Sequence, residues 1–134
     1  MRAFALAAAL VCLPVVGAVA QVKTCDQFRV SVTTGTMGVT ERVPAVAGKT
    51  IFICGYVVIP TSGGSGLDFE LSAGTGVNCA VGNTKIIPRM TVPVNGLVNR
   101  GGGASGEFAP VSNAVCLQTW GNKSVTSIFY WTQV

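Results

Sequence analysis

The sequence predicts an all-β protein, an antiparallel β-sandwich of jelly-roll-like form with seven to eight short strands, stapled by disulfides. Three observations lead there. Clusters of glycine, proline, serine and asparagine punctuate the chain roughly every ten residues. Between them, apolar residues alternate with a period of two and are rich in valine and isoleucine, with no helical spacing beyond residue 20. Finally, an even number of cysteines remains once an export leader is set aside.

That leader occupies residues 1–20. Arg2 supplies the positive start, residues 3–16 an apolar run, and Ala18-Val19-Ala20 a small-x-small cleavage site before Gln21. The run is broken by Pro14 and Gly17 and falls short of the ~20 apolar residues that a membrane span needs. The reading is a cleaved secretory signal peptide and a single β-sandwich domain over 21–134, secreted or periplasmic, with no membrane attachment after cleavage.

Residues 27–32 (QFRVSV) alternate Phe28, Val30 and Val32 with polar neighbours, as an edge or half-buried strand does. Over 39–47, Val39 and Val43 keep the even spacing until Pro44, which cannot donate to a ladder. The stretch 48–71 (GKTIFICGYVVIPTSGGSGLDFEL) reads as a hairpin, two strands joined by a glycine-rich turn. In its first strand Phe52, Cys54, Tyr56 and Val58 fall on one side and Ile51, Ile53, Val57 and Ile59 on the other, so both faces are apolar. In its second, Leu67, Phe69 and Leu71 alternate with Asp68, Glu70 and Ser72, giving one dry and one wet face.

Residues 73–83 are a glycine- and asparagine-rich loop; they lack the glycine spacing, following helix or Lys-Ser/Thr pair of a phosphate cradle. Pro88 and Pro93 limit 85–98 to short, interrupted strands, and the glycines of 100–106 make a loop. A strand returns around Val115 and Leu117, a turn follows at 120–123, and 124–134 forms a last strand, apolar on both sides and therefore central.

Cys12 leaves with the leader, so Cys25, Cys54, Cys79 and Cys116 form two disulfides. Three pairings are possible; Cys54 with Cys116, both mid-strand, and Cys25 with Cys79 is the preferred one. With no histidine in the chain and no close cysteine spacing, a mixed zinc site is excluded and no metal or cofactor is expected. The same absence removes imidazole acid–base chemistry and Ser-His or Cys-His nucleophiles, so a non-catalytic protein is expected. The net charge of +4 is scattered, without the basic stripe and interleaved aromatics of a nucleic-acid binder.

Two constellations are candidates for binding. Asp68 and Glu70 are two apart on one strand face and could ligate calcium. Among the aromatics Tyr56, Trp120, Tyr130 and Trp131, Trp120 beside Gly121 is the one placed for ligand contact, with Asn122 next to it; Tyr130 and Trp131 are read as core. Asn122-Lys123-Ser124 also fits a glycosylation sequon.

The segments VPAVAGKTIFICGYVV, FELSAGTGVNC, FAPVSNAVCLQT and SIFYWTQV together resemble small all-β proteins encoded in bacteriophage and bacterial genomes. In these an "aVaGKkI" turn-strand is followed by an "f.sGtg" strand end, an "a.naLcL" strand and a closing "vsG...Y.q" strand. The corresponding stretches are 46–51, 69–76, 113–117 and 125–133, with Ser127 where the family carries glycine. The resemblance implies a jelly-roll-like domain, mostly of unassigned function and virion-associated. The expected function is an exported structural or adhesion-type protein with a surface or virion protein partner, in homo-oligomeric form or not. The alternative is a secreted carbohydrate-binding-like module with a glycan as partner.

Overall fold

The computed structural model describes residues 24–33, 37–61, 66–101, 107–121 and 123–134, with backbone alone at 107 and 108. The segment 1–20 predicted as a leader, the stretch 102–106 and Asn122 lie outside the described residues. Within them the strands are β1 (Gln27–Thr33), β2 (Gly38–Val43), β3 (Ile51–Pro60), β4 (Leu67–Thr75), β5 (Val81–Val92), β6 (Val98–Arg100), β7 (Glu107–Ala109), β8 (Ala114–Trp120) and β9 (Val125–Gln133).

One sheet, here sheet A, has the order β1-β9-β3-β6 with β7 also on β3; the other, sheet B, has the order β2-β8-β4-β5. Because β6 and β7 pair antiparallel with successive parts of β3, they are two pieces of one interrupted strand. Eight strand positions in two four-stranded sheets, with every connection but that from β4 to β5 crossing between layers, make a jelly roll.

The predicted hairpin over 48–71 is corrected. β3 and β4 are not partners: β3 lies in sheet A between β9 and β6, and β4 in sheet B between β8 and β5. Each strand is apolar enough to be central in its own sheet: β3 finds both neighbours far away in sequence, and β4 pairs with the distant β8 and with β5, which follows it. The face assignment in β3 changes too. A bulge between Ile53 and Gly55 resets the alternation, so that Ile51 and Ile53, then Tyr56 and Val58, are the buried set, while Phe52, Cys54, Val57 and Ile59 are half-buried. Tyr56 then meets Phe129 of β9 and Phe69 of β4, each at 6.1 Å between ring centres, and the three rings join the sheets. Leu67, Leu71, Val115, Leu117, Val125 and Trp131 complete the core around them.

The loop predicted over 73–83 is mostly strand. β4 runs on to Thr75, a single 3-10 turn spans Val77–Cys79, and β5 starts at Val81. Pro88 does not break β5, since β5 is the edge of sheet B and a proline N can face outward there. β9 is central between β1 and β3, as the sequence predicts.

The disulfides are Cys25–Cys54 and Cys79–Cys116, each with 6.2 Å between Cα atoms, which corrects the preferred pairing. Cys54 sits at the bulge of sheet A; Cys116 alternates with the inward Val115 and Leu117 and so faces outward from sheet B. The two cysteines are on opposite layers and cannot meet across a filled core. Cys25 instead fastens the segment before β1 to β3, and Cys79 fastens the 3-10 turn onto β8.

Gly74 makes the second fastening fit. A Cβ there would lie 2.9 Å from both Cβ and the carbonyl O of Cys79, and 3.0 Å from the carbonyl O of Val81. Asn78 and Cys79 both take positive φ (52° and 57°) in this turn, and Asn78 Oδ1 accepts a hydrogen bond from the Glu41 N–H at 3.1 Å.

Where the two layers meet beside β1 and β2, the structure buries Arg42 to 2% exposure. Its guanidinium donates to Ser31 Oγ and Thr33 Oγ1, and its Nε has no partner among the described residues. Burial, with a smaller contribution from Arg29, lowers its pKa from the ordinary guanidinium range to about 10. Below that value the buried group is charged and costs stability; the cost is relieved only as the pH rises past it.

Three outcomes follow for stability. Gly74→Ala is expected to lower unfolding free energy by about 1–3 kcal/mol in urea titrations, because backbone and not a flexible tip stands in the way. Gly38→Ala, with nothing within 4 Å, should stay within about 0.5 kcal/mol. Arg42→Met is expected to keep or raise stability near neutral pH, since the lost desolvation penalty outweighs two hydrogen bonds to half-buried hydroxyls. A loss of more than about 2 kcal/mol would show that those bonds outweigh it.

Candidate functional site

The outer face of sheet B carries the charged and polar candidates. Register places Trp120, Asp68 and Thr91 side by side across β8, β4 and β5, and Gln118 beside Glu70 in the next outward row. The Asp68 carboxylate accepts from Thr91 Oγ1 at 2.6 Å on one oxygen and from Arg89 Nε at 3.0 Å on the other. The same guanidinium lies over the indole of Trp120, 4.4 Å from the ring centre. Thr91 and Arg89 hold the Asp68 carboxyl below its usual value, the hydrogen bond from Thr91 contributing most. Asp68 is thus a fixed anion, suited to orienting a cation and not to delivering a proton.

Glu70 departs from the wet-face expectation: it is only 3% exposed, covered by Lys85, whose Nζ lies 2.8 Å from Glu70 Oε2. Ser72 is fully buried on the same face, where Asn83 Nδ2 donates to its Oγ at 3.2 Å. Both are covered because β5 carries long side chains over its neighbour and the 3-10 turn folds back on β8. For calcium, Asp68 and Glu70 are each already matched to a cation on β5, Arg89 and Lys85. Among the described residues no group of three or more His, Cys, Asp or Glu side chains converges.

The aromatics divide differently from expectation. Tyr56 and Trp131 are core, Trp120 is half-buried at the end of β8 and not within a turn, and Tyr130, predicted as core, is exposed. A flat ligand stacking on the indole face that Arg89 covers would have to displace Arg89.

The outer face of sheet A is the feature that sequence reading missed. Phe28, Val30 and Val32, the apolar set of β1, are 68, 55 and 62% exposed. They pair in register with Tyr130, Ile128 and Thr126 of β9, and beyond these Ile128 and Thr126 face Val57 and Ile59 of β3. Phe28 stacks on Tyr130 at 6.3 Å. The result is an apolar, uncharged strip three strands wide on the outside of the molecule. The signal was present in QFRVSV, but alternation alone does not say which face is inside.

No helix among the described residues is long and apolar enough to cross a membrane. The two disulfides indicate maturation in an oxidising compartment. No family model, curated protein or solved structure matches the chain.

The Asp68 geometry carries a pH prediction. Its contribution is complete above the ordinary carboxylate value of 3.8 and is lost as the pH falls through the lower folded-state value. Asp68→Asn is therefore expected to lower the melting temperature near neutrality and to leave it unchanged in strong acid. Equal losses at both ends of the titration would assign the effect to shape and not to charge.

Proposed function

We propose that this is an exported, non-catalytic β-sandwich that works by contact, as a structural or adhesion subunit at a cell or virion surface. The observation that carries the reading is the exposed apolar strip around Phe28, Val30, Val32 and Tyr130, since monomeric soluble proteins seldom leave large contiguous apolar patches uncovered. The leader at 1–20 and the disulfides support export. The jelly roll is used in capsid and lectin domains, which is an analogy of fold and supports the reading only as such. The resemblance of the turn and core motifs to small phage-encoded proteins points the same way. Against catalysis stand the lack of histidine and the commitment of Asp68 and Glu70 to Arg89 and Lys85.

A second reading, a carbohydrate-binding-like module, is favoured by one observation, the indole of Trp120 held under Arg89 on a flat polar face. The two separate in one experiment. The producing culture is fractionated by sedimentation, and the mature chain is located by non-reducing intact mass. Under the first reading a species matching residues 21–134 with two disulfides pellets with cells or particles, and a panel of soluble glycans leaves its tryptophan emission unchanged. A soluble species with a saturable glycan-induced shift, abolished by Trp120→Ala, would transfer the function to sheet B.

A further inference from the structure

We infer that two copies of this chain pair through β1, antiparallel and about a twofold axis at Val30, joining their A sheets into one. The inference deepens the contact reading above by naming a partner, and it rests on that reading in taking the apolar strip as a contact surface.

The argument starts from the sheet edges. Sheet B ends in β2, which is shifted in register between Glu41 and Val43 and followed by Pro44, and in β5, which carries Pro88 and several register shifts. The far edge of sheet A is made of the three-residue β6 and β7. These are the devices that keep an edge from adding another strand. β1 has none of them: its seven residues keep unbroken register with β9, contain no proline, and among the described residues pair with no other strand of sheet A. With Arg29 as its one defence, turned to the inner side where it donates to the Arg42 carbonyl O, a regular edge with three exposed apolar side chains is a template for strand addition.

The residue order selects the partner and the register. In QFRVSVT the residues around Val30 are nearly palindromic in character, as an isologous contact requires. Antiparallel pairing centred on Val30 sets Phe28 opposite Val32 of the other copy and Val30 opposite its own equivalent. All three exposed apolar residues are then matched on the outer face. Arg29, the single charge in β1, falls opposite Ser31; centring on Arg29 would instead set two guanidinium groups against each other. The Val30 pairing also brings Arg29 of each copy toward Arg42 of the other, so salt should tighten the dimer. Tyr130, stacked on Phe28, extends the joined apolar face onto β9 in both copies.

The test is sedimentation velocity on the purified protein with its disulfides intact, up to about 0.1 mM. The expected result is a reversible dimer that tightens with added salt, and a monomer for Val30→Lys, whose thermal unfolding stays within a few degrees of the parent because the site is exposed. Cysteine trapping checks the register. Val30→Cys should cross-link to itself, and Phe28→Cys should cross-link to Val32→Cys when the two are mixed but not when either is alone. A monomer at every concentration, a dimer untouched by Val30→Lys, or cross-linking without register preference overturns the proposal. So does a monomer that instead floats with phosphatidylcholine vesicles, which would assign the strip to a membrane. Because these measurements use purified protein, a monomer leaves cell or particle association standing. A dimer found only in the soluble culture fraction keeps the pairing and removes the surface role.

Discussion

The bulge at Cys54 is the constraint on which the remaining structure depends. β3 is apolar on both sides, so nothing in its composition decides which side faces the core. The extra residue between Ile53 and Gly55 makes the decision twice over, once for each half of the strand. It brings Tyr56 inward, where the ring spans from Phe129 in one sheet to Phe69 in the other. It also places Cys54 where Cys25 can reach it, and through that bond the start of β1 is fastened to sheet A. Core, staple and edge strand thus follow from one local irregularity.

Most of the architecture was legible in the sequence because it rests on period-two patterning and on turn residues. The inward sets Leu67, Phe69, Leu71 and Val125, Phe129, Trp131 are buried as their alternation requires. What patterning could not supply was partnership between strands. The segment 48–71 has every local mark of a hairpin, yet its strands belong to different layers; all pairings here but β4 with β5 join strands distant in sequence, and no short-range signal encodes that. The cysteine pairing failed for a related reason: Cys54 and Cys116 are both within strands, but the strands lie in different layers. β1 shows a second limit: Phe28, Val30 and Val32 alternate like a buried strand and are exposed, because the inner side of β1 is given to Ser31 and Thr33, the partners of Arg42. A buried arginine in VTERVP gives no local sign of itself; only the layer opposite makes it one.

The candidate site was legible in its residues and not in its arrangement. Asp68, Glu70 and Trp120 lie on one face as strand register dictates, but the residues that determine their chemistry come from β5. Arg89 and Lys85 turn two carboxylates that looked free into two ion pairs, one of them almost wholly covered. The molecule is consequently two-sided. Sheet B presents paired charge, whose net attraction for a partner is small because each group is already answered. Sheet A presents surface that water is better off without.

The four bonded cysteines join as neighbours in chain order, Cys25 with Cys54 and Cys79 with Cys116, and each bond stays within one layer or its own flanking turn. A chain delivered N-terminus first through a narrow channel exposes Cys25 and Cys54 together before Cys79 arrives, so the pairing nearest in time is also the native one. Oxidation can then keep pace with delivery, and no bond has to be undone to reach the final connectivity. The same arrangement leaves the two layers without a covalent tie across the core. Their adhesion rests on packing, with side chains such as Tyr56 as the fastening through the core and the hydrogen bonds of Arg42 to Ser31 and Thr33 at one margin.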